Sequence, residues 1–461
     1  MLTDEIRKHR RLGTCSGFAA AVTSLLLAAA AHAQPHVETP SENPINPAFY
    51  GWGIVQPNDT FGRSVAAGML GTYMVVGSEE NANWANGYAH TFRLKTQGGQ
   101  SFYEYESLLV ASDPTRDSLF GTVVETSVDE LIIVGAPGAC GGSVPSGNSV
   151  EGFGKSQGCR GGAGAAYVFR FDRASQYWLE EAKLVASDGR NWDHMGSSVA
   201  IYKDLALVGA PNVDNGKVYV YQFSEEGWVE VQILEPPNIE GVQVSAFGHS
   251  VAVYKDRAVI GAPVGTGGSV HFYEFDSAQQ RFQRELTYLN QSFNGSSARL
   301  GHDVDISENL VVVGAPWGSN GGGGPGGTRY GFVQIFRHNG SNWQLTTDPT
   351  LGLPAPTNQR RTEFGSAVTV STRPRPDHVM VGAPFWDSEG NRDEGKVFIF
   401  TEDSAGNWVQ SGELTSSNPM EHDRFGSSVD LPVSFFSFGF VGAPTTRALG
   451  RTGTATSFEL H

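Results

Sequence analysis

The residues best spaced for chemistry lie in one stretch, Asp387-Ser388-Glu389-Gly390-Asn391-Arg392-Asp393-Glu394. Side-chain oxygens at Asp387, Glu389, Asn391 and Asp393 alternate along it, a spacing that calcium loops use. Calcium is the one cofactor the sequence admits, with these four as candidate ligands. The same residues would equally make a solvated polar turn. Histidines recur beside one repeated landmark, at His194, His249 and His302. They could bind metal or act as bases, but their fit to the repeat register favours packing and hydrogen bonding. Cys140 and Cys159 fit one disulfide closing a Gly-rich loop in an oxidising compartment. No further ligand set accompanies them to make a zinc site.

No catalytic residues are assigned. The chain has no nucleophile elbow, no His-Glu-x-x-His and no Walker loop. Gly321 to Gly324 lacks the lysine that a phosphate loop needs. Paired carboxylates for glycosidase chemistry stay open, since acidic residues are plentiful.

Positioning these residues requires a scaffold, and internal repetition reveals it. Seven copies of one unit can be laid on each other. Their first landmark is Phe61-Gly62, Phe120-Gly121, Met195-Gly196, Phe247-Gly248, Leu300-Gly301, Phe364-Gly365 and Phe425-Gly426. The second is an apolar run ending in Gly-Ala-Pro, from Gly135-Ala136-Pro137 to Gly442-Ala443-Pro444, degraded in the first copy to Gly77-Ser78-Glu79. Alternating runs such as Val218-Tyr219-Val220-Tyr221 and Trp228-Val229-Glu230-Val231 follow. Each unit reads as four short strands separated by Gly, Asn and Asp turns. Four antiparallel strands repeated around a ring make a β-propeller. The expected fold is all-β: seven four-stranded antiparallel blades spanning residues 47–461. The last unit lacks a fourth strand, and Phe49 to Val55 is expected to complete that blade as an N-terminal strand.

These landmarks resemble the FG-GAP repeats of the integrin α-subunit propeller. They resemble still more the bacterial FG-GAP repeat proteins, in which a segment like Lys183-Leu184-Val185-Ala186-Ser187-Asp188-Gly189 precedes the Phe-Gly. Integrin propellers hold calcium in Asp-x-Asp-x-Asp-Gly loops between the first two strands. Asp303-Val304-Asp305 sits at that place, but a strand-forming run follows it and no Gly turn does, so that feature does not carry over. The resemblance also implies that ligands meet the face bearing the loops between strands 2 and 3.

The longest insertions fall on that face, where binding loops on rigid scaffolds usually lie. They include 78–87, 138–163, 317–330, 385–395 and 445–453. With the blade-to-blade crossovers they carry Trp84, Trp192, Trp317, Tyr330, Phe385 and Trp386, the candidate ligand-binding residues. Such aromatics stack on sugars or grip a protein partner, or simply cap blade ends.

Residues 1–33 read as a signal peptide: a basic start, an apolar stretch from Gly17 to Ala30, and Ala31-His32-Ala33 as a cleavage site. Residues 34–46 read as a flexible N-terminal segment. From Gln34 onward the chain holds 28 basic and 46 acidic residues, a net charge of −18. A field of that sign disfavours nucleic acid and anionic lipid, and no later segment suits membrane insertion. The expected protein is a monomer outside the cytoplasm: periplasmic, surface-attached or released. A binding or adhesion module for an extracellular protein or glycan is the favoured reading. A polysaccharide-acting enzyme and a structural surface component without a discrete ligand remain the alternatives.

Overall fold

The apolar and alternating runs of each unit become strands. The computed structural model describes residues 60–79, 87–115, 117–140, 162–290, 298–318, 329–349, 352–356, 359–372, 377–388, 390–432, 438–444 and 453–459. The first blade holds β1 (Thr60–Ala67), β2 (Tyr73–Glu79), β3 (Tyr88–Gln97) and β4 (Gln100–Leu109), and the second β5 (Val123–Ser127), β6 (Leu131–Ala136), β7 (Ala165–Asp172) and β8 (Tyr177–Leu184). The third holds β9 (Ser198–Tyr202), β10 (Leu205–Ala210), β11 (Lys217–Ser224) and β12 (Gly227–Leu234). A small pair, β13 (Val244–Ser245) with β16 (Val264–Gly265), flanks the fourth blade. That blade is β14 (Ser250–Tyr254), β15 (Arg257–Ala262), β17 (Ser269–Asp276) and β18 (Arg281–Leu289). The fifth has β19 (Val304–Ser307), β20 (Leu310–Ala315), β21 (Phe332–His338) and an outer strand broken into β22 (Trp343–Leu345) and β23 (Leu353–Pro354), both pairing β21. The sixth is β24 (Ala367–Ser371), β25 (His378–Ala383), β26 (Lys396–Glu402) and β27 (Trp408–Leu414).

The seventh blade holds β28 (Ser428–Asp430), β29 (Phe438–Ala443) and β30 (Thr454–Glu459). The segment expected to add its fourth strand, 49–55, lies outside the described residues. The fold is thus all-β, with seven antiparallel blades arranged as a propeller. No helix among the described residues is long and apolar enough to cross a membrane.

The core is distributed. Seven apolar clusters each combine the facing sides of two successive blades. One of them joins Phe440 and Ala455 of the seventh blade to Phe61, Met74 and Phe92 of the first, so the ring is closed. The landmark aromatic is the wedge in each interface: Phe61, Phe120, Phe247 and Phe364 are fully buried, as are Met195 and Leu300 where they replace it. Burying such a side chain contributes about 2 kcal/mol.

The two landmark glycines meet across each interface. A Cβ on the strand-2 glycine (Gly77, Gly135, Gly209, Gly261, Gly314, Gly382 or Gly442) would collide with the carbonyl oxygen of the next blade's landmark glycine. The landmark glycines themselves lie at φ between +82° and +91°, a region that Cβ-bearing residues avoid. Both halves of the repeat signature therefore serve one close backbone approach, repeated seven times.

Polar side chains seal the same seams. Inner strands leave edge N–H groups unpaired, and the preceding blade supplies acceptors. Ser64 Oγ accepts from Val124 N–H, Asp303 Oδ2 from Val368 N–H, Asp305 Oδ2 from Val370 N–H and Asp430 Oδ2 from Ala67 N–H. Further out, the Ala-Ser-Asp segment acts as a clasp. Ser187 donates its N–H and hydroxyl to Glu230 of the next blade, while Asp188 accepts from Lys217 and from the Tyr219 hydroxyl. Ser112 and Asp113 make the same contacts to Glu180, Lys183 and Tyr167. At the rim, indole N–H groups donate backwards: Trp178 to Glu106, Trp228 to Glu181 and Trp343 to Glu285.

Candidate functional site

Turns between strands 1 and 2 are short, as at Lys203-Asp204 and Lys255-Asp256, and lie at one end of the blades. Loops between strands 2 and 3, together with the crossovers, lie at the other. Crossovers are drawn to the adjoining long loops by backbone bonding. Trp192 N–H donates to Gly162 O, Trp317 N–H to Ala298 O, and Phe385 N–H to Thr362 O. Five of the six candidate aromatics are thereby gathered on the long-loop face; Trp84 lies outside the described residues.

Most of their ring faces are already covered. The Arg299 guanidinium carbon stands 3.3 Å from the Trp317 ring centre and that of Arg329 4.5 Å, while the indole N–H points to Glu363. Arg424 lies 4.8 Å over Phe385, and Lys396 4.6 Å over Trp386. Trp386 also meets Phe398 edge-on and, with Tyr330, packs against the apolar cluster between the fifth and sixth blades. Trp192 differs. It is 63% exposed and has His194 stacked on it, with an interplanar angle of 30°.

The candidate calcium ligands are engaged with their own turn. Asp387 Oδ1 accepts the Asp393 N–H at 2.8 Å, Asn391 Nδ2 donates to Glu394, and Asp393 Oδ2 pairs with His422 Nδ1 at 2.9 Å. Glu389 lies outside the described residues. Among the described residues no three His, Cys, Asp or Glu side chains gather as metal ligands. Cys159 also lies outside them.

The axis carries a second constellation. A cavity of about 310 Å³ is lined by the inner strands, with a smaller one of about 110 Å³ toward the short-turn end. Glu125, Asp305 and Asp430 line both, so they form a waist between two chambers. They occupy one register position, the fourth residue after the landmark glycine. Ala66, Ala200, Ala252 and Thr369 stand there in the other blades. Burial raises all of these carboxyls. Asp305 rises to about 6, and Asp430, with Asp305 adding repulsion, to about 7. Burial and then Asp430 push Glu125 well above the carboxylate range. Asp303, one layer nearer the long-loop face, rises to about 7.

His249 and His302 flank the long-loop mouth, with ring centres 5.0 Å apart. Burial lowers both, His302 to about 3 with help from His249 and Arg299. Both imidazoles are therefore neutral at neutral pH. They stand where Thr122, Ser197 and Ser427 return a hydroxyl bond to the carbonyl three residues back. His194 is not their equivalent, because it precedes its landmark residue and lies beside Trp192.

An FG-GAP repeat profile matches residues 178–221, which span β8 to β11. The matched segment contains the Ser187–Asp188 clasp, the Met195-Gly196 landmark and Gly209-Ala210-Pro211, the three features that hold successive blades together. The chain is a β-propeller that carries an FG-GAP repeat at these residues. No curated protein matches it in sequence. It is similar to the crystal structure of a Lactobacillus plantarum protein solved as a structural genomics target. The two are 14% identical with a TM-score of 0.48, covering 79% of this chain and 87% of that one.

Two groups in this propeller were not singled out from sequence. Glu125 and Asp430 could have been found by aligning the seven copies, since each puts an acid where three copies put alanine. Arg299 and Arg329 gave no signal, because their partner Trp317 lies elsewhere in the chain.

Proposed function

We propose that this propeller is an extracytoplasmic binding module that engages an extracellular protein or glycan through its long-loop face. The observation that carries this reading is the row of side chains across the fifth to seventh blades. There Trp317, Phe385 and Trp386 are each stacked with a cation on one rigid face. Held this way, aromatic and basic groups lose little conformational freedom on binding, which favours affinity. Cys140 stands as a disulfide cysteine, which supports its pairing with Cys159 and an oxidising compartment. The leader-like residues 1–33 support export. An array of extracellular proteins and glycans, probed with the purified chain, tests the reading. Saturable binding to at least one class is expected; uniform absence of binding would overturn it.

The raised carboxyls at the waist favour a second reading, acid–base catalysis on a polysaccharide. Against it, Asp303, Asp305 and Asp430 each already accept a backbone N–H from the next blade. That is the bonding of a structural group.

A further inference from the structure

The junction of the fifth and sixth blades concentrates positive charge on an acidic protein. Arg299 and Arg329 share the Trp317 ring. Arg361 N–H donates to Arg329 O, which sets the backbone of Arg360 and Arg361 beside Arg329. Arg329, Arg360 and Arg361 are exposed, and Arg299 is half-buried. Elsewhere Arg63, Arg93, Arg170, Arg173 and Arg337 each pair with a carboxylate. Among the described residues none of these four arginines has an ion-pair partner. The nearby carboxylate, Glu363, is bonded to the Trp317 indole.

Arg299 and Arg329 repel each other, and Glu363 is the carboxylate that offsets this. Burial lowers the pKa of Arg299, and Arg329 adds to that effect against Glu363. An arriving anion would relieve both. We propose that Arg299, Arg329, Arg360 and Arg361 form a subsite for the carboxylates of an acidic polysaccharide, a polyuronate. The proposal rests on the binding reading above and narrows its ligand. Guanidinium forks match carboxylates in two-point fashion. A peptide partner would need open apolar pockets for anchor side chains. Here the rings of Trp317, Phe385 and Trp386 are covered by cations. A polyuronate has no apolar side chains and needs no such pocket.

Calorimetric titration of the full chain with polygalacturonate tests the subsite, with dextran and poly-L-glutamate as comparators. Polygalacturonate should bind, less tightly as salt is raised. Dextran should give no heat, and poly-L-glutamate should bind at least tenfold more weakly. The variant Arg329→Gln/Arg360→Gln/Arg361→Gln changes only exposed side chains. It should keep its melting temperature and lose at least tenfold in polygalacturonate affinity. The subsite is overturned if polygalacturonate does not bind, if the triple variant binds it as well as the parent, or if dextran or poly-L-glutamate binds equally well. If polygalacturonate fails while array ligands still bind, this inference falls and the binding reading survives. If nothing binds, both fall.

Discussion

Asp303, Asp305 and Asp430 each cap a backbone N–H of the next blade and line the axial channel. Burial raises them to about 7, 6 and 7, from the 3.8 of a free aspartate. A group that binds its proton more tightly when folded stabilises the fold fully below its unfolded pKa. That contribution is lost as pH rises through the folded value. The three carboxyls therefore favour the fold below about pH 4 and cease to between about pH 6 and 7. His90, His271 and His302, lowered by burial, act in the opposite direction as pH falls through about 6.5. The parent's melting curve alone does not separate the two. The difference between parent and Asp305→Asn/Asp430→Asn does. Asparagine keeps an acceptor for Val370 and Ala67 but carries no charge. The double variant should gain in melting temperature relative to the parent between pH 5 and pH 8. A difference that is constant or shrinks over that range would show that these carboxyls do not titrate there.

At the scale of strands, the blades are joined by recurring polar contacts outside the apolar wedges. Trp228 on β12 donates to Glu181 on β8 at 2.9 Å, and Glu181 also holds Arg170. Trp408 on β27 occupies the equivalent outer position, yet its buried indole N–H has no hydrogen-bond partner among the described residues. The broken outer edge of the fifth blade, β22 and β23, offers no matching glutamate. Trp228→Phe should thus cost about 1–2 kcal/mol in denaturant unfolding, since it removes a hydrogen bond to a carboxylate, whereas Trp408→Phe should be close to neutral. Equal losses would refute the belt.

The strands themselves were legible in sequence because period-2 alternation, Gly turns and seven registered copies all encode local structure. The Phe-Gly and Gly-Ala-Pro landmarks even announced the close inter-blade approach. What covers Trp317 or what Asp430 caps was not legible. Those partners lie from about a dozen to more than 300 residues away, and nothing local encodes them. For the same reason the alternating oxygens of 387–393 did not announce that Asp387 bonds the backbone of its own turn and that Asp393 pairs with His422.

The whole molecule is a closed ring with two unlike ends. Short, regular turns occupy one; insertions, crossovers, stacked cations and the exposed Trp192 occupy the other. Within the described residues the last seam is closed by Ser428 and Asp430, which bond Gly62 and Ala67. A rigid ring with its variation at one end gives a partner one place to dock. Amide hydrogen exchange, measured with and without the first ligand recovered from the array, reads this directly. The account predicts slowed exchange at 190–194, 298–302 and 360–363, with the turns at 203–204, 255–256 and 308–309 unchanged. Protection confined to those short turns would contradict it.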